Sequence, residues 1–296
     1  MQAALLPDRG VVKVAGDDAR LFLNGLLTND VGKIAPGSPR FAALLTPQGK
    51  IIVDCIVVEA PAEDGGGFYL DVPRALAPEL VAKLTFYKLR AKVTAENLSE
   101  NLGVMAVWPG GGETDYGLCY PDPRVRALGA RTMLPPQLAS EAAADLGATL
   151  TDADAYDAHR IAFGVPRGGH DFIYGDTFPH EADMDQLNGV DFGKGCYVGQ
   201  EVVSRVEHRA AARSRVVPVA YDELSPLEGL PVMAGDKQVG QLGSTANGRG
   251  LALLRLDRID EALKAGTPLT AGGIVLRAVK PQWATFQWPG ETKAAE

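Results

Sequence analysis

A glycine-rich decapeptide, residues 192–201 with the sequence FGKGCYVGQE, restricts the local backbone more than any other stretch of this chain. Its three glycines surround a single cysteine, Cys196, and residues 202–209 space their apolar side chains as a short helix does. The pattern predicts a tight loop that leads into a helix beginning near Val198 or Gly199.

The position of Cys196 in this pattern favours a reactive thiolate. A cysteine just before a helix lies close to unpaired backbone N–H groups and to the positive end of the helix dipole. Lys194, two residues earlier, adds a positive charge. We therefore expect Cys196 and Lys194 to be catalytic residues. The alternative is an inert cysteine that packs well beside glycines.

Size and charge restrict the class of protein. A length of 296 residues and an apolar content of 46% predict two or three domains with filled cores. The net charge of −8 repels phosphate backbones, so we expect no non-specific nucleic-acid binding. No apolar run is long enough for a membrane span and no export signal is visible, so we expect a cytoplasmic protein with no membrane partner.

The cysteines and histidines predict no disulfide framework and no metal site. The three cysteines are odd in number and far apart, which fits a reducing compartment. Cys55 and Cys119 lie in strand-like apolar runs, and core packing is the simplest interpretation of both. Four scattered histidines without a Cys-x-x-Cys pair give no recognisable set of metal ligands.

The first two thirds of the chain mix strands and helices. Residues 10–14 are predicted to form a strand, and a helix with an N-cap signal at 16–18 follows. Two strand-like runs around a Pro- and Gly-containing loop predict a hairpin over 41–58. Residues 68–107 read as strand, helix and strands, similar to a ferredoxin-like domain. A capped helix is predicted over 152–161.

The last third of the chain has a different pattern. Between residues 216 and 279, short apolar strands alternate with Gly-rich turns at regular spacing. This pattern is typical of a small β-barrel. The tail beyond Pro289 is predicted to be disordered.

The string from Lys194 to Glu201, Lys-Gly-Cys-Tyr-x-Gly-Gln-Glu, resembles the signature of the YgfZ-type folate-binding proteins. These proteins are relatives of the glycine-cleavage aminomethyltransferase GcvT and include mitochondrial iron–sulfur cluster assembly factors. The chain matches every fixed position, and residues 239–256 are similar to the C-terminal barrel of the same superfamily. The resemblance implies an α+β, GcvT-like fold in which three domains surround a central folate cavity.

The resemblance also implies domain boundaries. A discontinuous folate-binding domain is expected over 1–33 and 113–209, and a ferredoxin-like α+β domain over 34–112. The C-terminal β-barrel domain is expected over 210–290, followed by a disordered tail, 291–296.

A folate site is implied by the same resemblance. The segment around Glu181 is similar to a stretch in which the family's glutamate bonds the pterin ring, and two carboxylate oxygens suit two adjacent N–H donors. Tyr156 takes the place of an aromatic that lines the cavity. Asn29 lies in a turn that relatives place near the folate, although a helix C-cap is the alternative for this turn. The residues expected to bind the cofactor are Glu181, Tyr156, Asn29, Asp54, Tyr197, Gln200 and Glu201.

Asp54 marks a departure from the aminomethyltransferases. Their hairpin carries two adjacent catalytic aspartates, whereas this chain has Val53 followed by Asp54. Aminomethyl transfer needs carboxylates to position the amine and to move a proton. The missing carboxylate argues against the transferase activity.

The function implied is that of a tetrahydrofolate-binding protein that supports assembly or repair of iron–sulfur enzymes, including tRNA-modifying ones. Its cofactor is expected to be tetrahydrofolate or a one-carbon derivative, and its partners folate and iron–sulfur client or assembly proteins. We expect a monomeric accessory factor that holds no cluster by itself. Two alternatives stay open: a folate-dependent aminomethyl or methyl transferase, and a folate-binding scaffold in which Cys196 is structural.

Overall fold

The computed structural model describes residues 1–208, 212–222 and 224–291. The predicted disordered tail, 291–296, lies outside the described residues apart from Glu291. Across these ranges, every helix is too short or too polar to pass through a lipid bilayer.

The chain divides into two compact units. The first comprises Met1–Tyr156 and Leu187–Val202, and the second comprises Asp157–Gln186 and Val203–Glu296. The boundaries of the three predicted domains stay a prediction.

Sixteen strands and six α-helices occur in the described residues. The strands are β1 (Gln2–Leu6), β2 (Arg9–Ala15), β3 (Arg40–Leu45), β4 (Ile51–Glu59), β5 (Phe68–Pro73), β6 (Thr94–Asn97), β7 (Gly103–Trp108), β8 (Leu118–Pro121), β9 (Ala130–Leu134), β10 (Thr149–Thr151), β11 (Ser214–Ala220), β12 (Pro231–Ala234), β13 (Lys237–Ala246), β14 (Arg249–Arg255), β15 (Leu269–Ala271) and β16 (Ile274–Ala278). The helices are α1 (Ala19–Leu26), α2 (Ala77–Tyr87), α3 (Ala139–Asp145), α4 (Ala153–Ala162), α5 (Gln200–His208) and α6 (Leu256–Lys264).

One sheet of the first unit has the order β3-β4-β5-β2-β6 and is antiparallel throughout. The predicted hairpin is its β3–β4 pair. Helices α1 and α2 cover the sheet, because each places apolar side chains at helical spacing, Leu23 and Leu26 on α1 and Leu80 and Leu84 on α2. Their burial forms the main core of this unit.

The other sheet of the first unit has the order β10-β1-β7-β9-β8. Strand β7 ends the run that was predicted to form one α+β unit, but it pairs here with β1 and β9. All six residues of β7 are buried. A strand that is apolar on both faces needs a central position with two neighbours, and β7 finds it in this sheet.

The second unit contains a closed barrel with the order β11-β14-β13-β12-β15-β16, completed by the pairing of β16 with β11. The predicted α+β class and the C-terminal barrel are confirmed. Helix α6, between β14 and β15, was not predicted. It buries Ile259 and Ala262, which are three residues apart and therefore on the same face of the helix, in the barrel core.

Candidate functional site

The loop of residues 192–201 leads into α5, which begins at Gln200, slightly later than predicted. Gly199 explains the delay. Its φ is +82°, and a Cβ there would approach the Thr46 carbonyl oxygen of the β3–β4 loop to 2.6 Å. Because the dipole effect fades within the first turn, Cys196, four residues before the helix, receives less support from it than expected.

Cys196 is the exposed cysteine of the chain. Cys55 is buried, and burial raises the pKa of its thiol. Cys119 is half-buried, with its Sγ 3.3 Å from Oγ1 of Thr132. A Cβ on Gly195 would meet no atom within 4 Å, so the space beside Cys196 is open. Among the three thiols, Cys196 is therefore the one that another molecule can reach.

Lys194 is buried, and it bonds the main chain. Its Nζ donates to the carbonyl oxygens of Asn24, Leu27 and Asn29 at 2.6–2.9 Å. These carbonyls lie at and just beyond the C-terminal end of α1, where backbone acceptors lack helical partners. An ammonium has three donors, so none is left for the thiolate of Cys196. The geometry supports a positioning role, and a catalytic role for Lys194 stays a prediction.

Burial lowers the pKa of Lys194 to about 8, and the nearby charges of Asp30 and Asp191 offset only part of this effect. Tyr197 lies against the same amine, with its ring centroid 5.1 Å from Nζ. Burial raises the pKa of Tyr197 to about 12. Lys194, with the Tyr197 ring packed on its amine, fixes the loop to the C-terminal end of α1.

The two remaining motif residues start the helix. Gln200 is the first residue of α5 and is half-buried, and its N–H bonds the carbonyl of Tyr197 at 3.3 Å. Glu201 is exposed in the first turn, where a carboxylate interacts favourably with the helix dipole. Both were predicted to bind folate, and that role stays a prediction.

Asn29 uses its side chain within the first unit. Its Nδ2 donates to the carbonyl oxygens of Phe41 at 2.8 Å and Asn188 at 2.6 Å, and its Oδ1 accepts from the N–H of Asp30. The side chain therefore ties the turn after α1 to two distant segments. This arrangement matches the structural alternative for the turn.

A cavity of about 520 Å³ lies beside the decapeptide in the first unit. Its lining includes Asn29, Lys33, Arg40, Asp191 and Phe192. The Lys33 ammonium and the Asp191 carboxylate form an ion pair at 2.6 Å in this lining. The cavity joins the predicted folate turn to the first residue of the decapeptide.

Tyr156 and Asp54 both lie inside the first unit. Tyr156 is only 4% exposed; its ring meets Trp108 edge-on with centroids 5.3 Å apart, and its hydroxyl accepts from Nη2 of Arg131. Asp54 is buried on β4, opposite Ala43 of β3. A covered ring leaves no open face on which a pterin could stack.

Glu181 lies in the second unit, whereas Cys196 lies in the first. One oxygen of its carboxylate accepts from the N–H of Phe178 at 2.9 Å and closes its own turn. Asn29 and Tyr156 also use their polar atoms within the chain, so these side chains do not present a ready-made pterin site. Folate binding by the predicted residues stays a prediction.

Sequence analysis missed one cluster of side chains in the second unit. His180, Asp185 and Glu207 each offer a ligand atom, and these atoms all lie within 4.8 Å of one another. They line a cavity of about 670 Å³. His180 and Glu207 are 27 residues apart, so no motif spacing marks the cluster. The short interval from His180 to Asp185 was the available signal.

Comparisons with known proteins agree with this architecture. Residues 8–110 match the GCVT N-terminal domain family, and residues 213–286 match the C-terminal β-barrel domain of CAF17. The crystal structure of glycine cleavage system aminomethyltransferase T from Bartonella henselae superposes with a TM-score of 0.74 and 17% sequence identity, over 97% of this chain and 87% of that chain. The predicted GcvT-like fold is therefore confirmed.

Sequence relatives narrow the class further. The iron–sulfur cluster assembly factor IBA57, mitochondrial, of Homo sapiens is 31% identical over 97% of this chain and 85% of its own length. Its Mus musculus counterpart is 31% identical over 97% and 86%. The Mycosarcoma maydis homolog is 34% identical over 74% of this chain, and the chain covers 57% of that protein.

The chain belongs to the IBA57 family of iron–sulfur cluster assembly factors. The predicted GcvT-like superfamily is confirmed, and the relatives named above are IBA57 proteins rather than YgfZ itself. The expectation of a cytoplasmic protein is wrong, because these relatives are named as mitochondrial.

Proposed function

We propose that this chain is an iron–sulfur cluster assembly factor that presents the thiolate of Cys196 to a partner protein as one ligand of a shared cluster. The exposure of Cys196 on an open glycine loop is the observation that carries the proposal. Membership of the IBA57 family supports the iron–sulfur assignment.

A shared cluster follows from the number of thiols. Iron–sulfur clusters are usually held by four cysteine thiolates. Cys55 is buried with its pKa raised by burial, and Cys119 is half-buried beside Thr132, which leaves Cys196 as the accessible ligand. We infer that a partner protein supplies the remaining ligands. When the Fe–S bond forms, the thiol loses its proton.

The loop suits contact with a bulky group. Gly193 and Gly195, on the N-terminal side of Cys196, carry no side chains, and the side chain of Lys194 between them is buried. Lys194 fixes the position of the loop, because its Nζ donates hydrogen bonds to three main-chain carbonyls. The thiol of Cys196 is therefore carried by a loop of fixed position. A cluster carried by a partner needs both open space around the thiol and a thiol whose position is fixed.

Rescue of cells that lack their own relative tests the proposal. The activity of iron–sulfur enzymes in extracts, including tRNA-modifying ones, is measured after expression of each variant. We expect wild type and Cys119→Ser to restore activity and Cys196→Ser to restore none. Full rescue by Cys196→Ser contradicts the proposed ligand role, provided both variants accumulate to equal levels.

Tetrahydrofolate binding is a second candidate, supported by the GcvT-like fold. No step of cluster presentation runs through folate. Tetrahydrofolate is titrated into wild type and Glu181→Ala, and binding is followed by protein fluorescence. We expect the variant to bind about 10–100-fold more weakly, since a hydrogen bond to a charged group contributes about 1.5–3 kcal/mol. Equal affinity of wild type and Glu181→Ala for tetrahydrofolate would show that Glu181 does not bind the folate.

The transferase alternative is tested with the same protein. Wild type is incubated with tetrahydrofolate and a one-carbon donor, and formation of the folate product is measured. We expect no turnover, because Val53 takes the place of one catalytic carboxylate. Turnover would favour an aminomethyl or methyl transferase.

A further inference from the structure

The cavity of about 670 Å³ in the second unit contains polar groups that the proposed function does not use. Two of them, His180 and Asp185, lie in the turns that follow Phe178, and the third, Glu207, lies near the end of α5. Their three ligand atoms lie within 4.8 Å of one another. The cluster combines one imidazole with two carboxylates.

The spacing of these atoms is close to that of a coordinated ion. Two ligands bound at about 2.1 Å, at 90–109° to each other, lie about 3.0–3.4 Å apart. Nε2 of His180 and the nearer oxygen of Glu207 are already 3.1 Å apart. The three ligand atoms lie within 4.8 Å of one another, so an adjustment of the exposed Glu207 side chain toward Asp185 completes a three-ligand set.

Contacts around the cluster hold two of the three ligands in place. Arg215 donates to both oxygens of Asp185 at 2.8–2.9 Å and to the carbonyl oxygen of His180 at 2.9 Å. Oδ2 of Asp185 also accepts from Nε2 of Gln186 at 2.8 Å, so Oδ1 is the oxygen that keeps a second lone pair for a metal. Outer contacts of this kind orient the ligands of protein metal sites. The His180 side chain is 2% exposed, whereas Glu207 is 46% exposed and free to adjust.

The charges around the cluster leave room for an added cation. Arg215 also donates to Oδ1 of Asp183, so its guanidinium forms ion pairs with the carboxylates of both Asp183 and Asp185. Glu207 adds a third carboxylate. The other oxygen of Asp183 is fully buried and accepts no hydrogen bond among the described residues. Among the described residues Arg215 pairs with Asp183 and Asp185 and not with Glu207, so a positive ion here adds a counter-charge beside Glu207.

We propose that His180, Asp185 and Glu207 bind a divalent first-row transition metal ion. One imidazole nitrogen and two carboxylate oxygens suit Fe²⁺, Co²⁺, Mn²⁺ or Zn²⁺. The cavity leaves the remaining coordination positions for water or a small ligand. This site is independent of Cys196 and of cluster presentation.

The test uses Co²⁺ as the probe and tag-free full-length protein in a Cys196→Ser background, which removes the exposed thiol. Binding is measured by equilibrium dialysis and by the visible absorption of bound Co²⁺. We expect one Co²⁺ per chain. Loss of an outer contact weakens metal binding about 10–100-fold, so we expect Glu207→Gln and His180→Asn, which remove ligands, to lose at least tenfold in affinity.

A second His–Glu pair in the same unit supplies the control. Nδ1 of His170 lies 2.9 Å from Glu228, and both side chains are exposed. His170→Asn is expected to bind Co²⁺ as the parent does. Glu207→Gln changes an exposed helix position, so it tests the proposal even if His180→Asn fails to fold. Absence of saturable binding, or equal affinity of Glu207→Gln and the parent, overturns the proposal.

Discussion

Two buried cations organise the two candidate sites, and they do so differently. Lys194 in the first unit donates to three neutral main-chain carbonyls, whereas Arg215 in the second donates to Asp183, Asp185 and one carbonyl. Burial lowers the pKa of Lys194 to about 8. Burial also opposes the charge of Arg215, but the hydrogen bonds and charges of Asp185 and Asp183 outweigh it and raise its pKa.

The difference teaches what each cation contributes. Arg215 has ionic partners, and its loss leaves buried carboxylates without a counter-charge. Within the described part of the chain, Lys194 donates to main-chain carbonyls and to no carboxylate, and its loss leaves backbone acceptors unsatisfied. In both places the buried cation holds the backbone, while a neighbouring exposed residue, Cys196 or Glu207, is available for chemistry.

The largest effect is expected from Arg215→Met. Removing one partner of a buried ion pair costs about 3–5 kcal/mol, because the carboxylates of Asp183 and Asp185 stay buried. The free energy of unfolding is measured in urea. Arg213→Met, an exposed position two residues earlier, is the control and is expected to change little. Equal stability of the two variants contradicts the role given to Arg215.

Lys194→Met is expected to have a smaller effect. Three carbonyl groups lose their donor, and an unsatisfied buried acceptor costs about 1–3 kcal/mol, so a loss of roughly 2–4 kcal/mol follows if water reaches some of them. Lys33→Met removes an exposed lysine of the same unit and is expected to change little. Urea unfolding compares the two, and an unchanged Lys194→Met would show that the carbonyls find other donors.

The pH dependence of stability separates the two cations further. Lys194 has a pKa of about 8 when folded against 10.5 ordinarily, so between these values the unfolded state binds more protons. The free energy of unfolding of wild type relative to Lys194→Met therefore rises with pH over this window, by at most about 1.4 kcal/mol per pH unit. Below pH 8 the difference is flat. The free energy of unfolding of wild type relative to Arg215→Met is expected to show no such rise. If the difference between wild type and Lys194→Met stays constant across this pH window, the lowered pKa of Lys194 is refuted.

The smallest effect on stability is expected at Cys196. Because its side chain is exposed, Cys196→Ser changes the free energy of unfolding by less than about 0.5 kcal/mol. A disulfide reagent is expected to label Cys196 rapidly in the folded protein and to reach Cys55 only after unfolding. Mass spectrometry of the labelled peptides measures both rates. Rapid labelling of Cys55 in the native protein contradicts its placement in the core.

Local patterns predicted much of the fold. Period-two alternation and turn residues located the barrel strands and the β3–β4 hairpin, because both signals lie within a few neighbouring residues. Helix α6 was missed, since the alternation of strands and turns between residues 216 and 279 was interpreted without a helix. The pairing of β7 with β1 and β9 was not predicted, because pairing across a sheet depends on residues distant in the sequence.

By itself, the sequence determined the α+β class, the barrel and the decapeptide that the family resemblance depends on. Only the tertiary structure decided that Lys194 donates hydrogen bonds to carbonyls 165–170 residues away and that α5 begins at Gln200. It also brought Glu207 to His180 and Asp185. The physical reason is that periodicity records which face of an element is apolar, whereas the partner of a buried charge is chosen by long-range packing and by the need to satisfy every buried polar group.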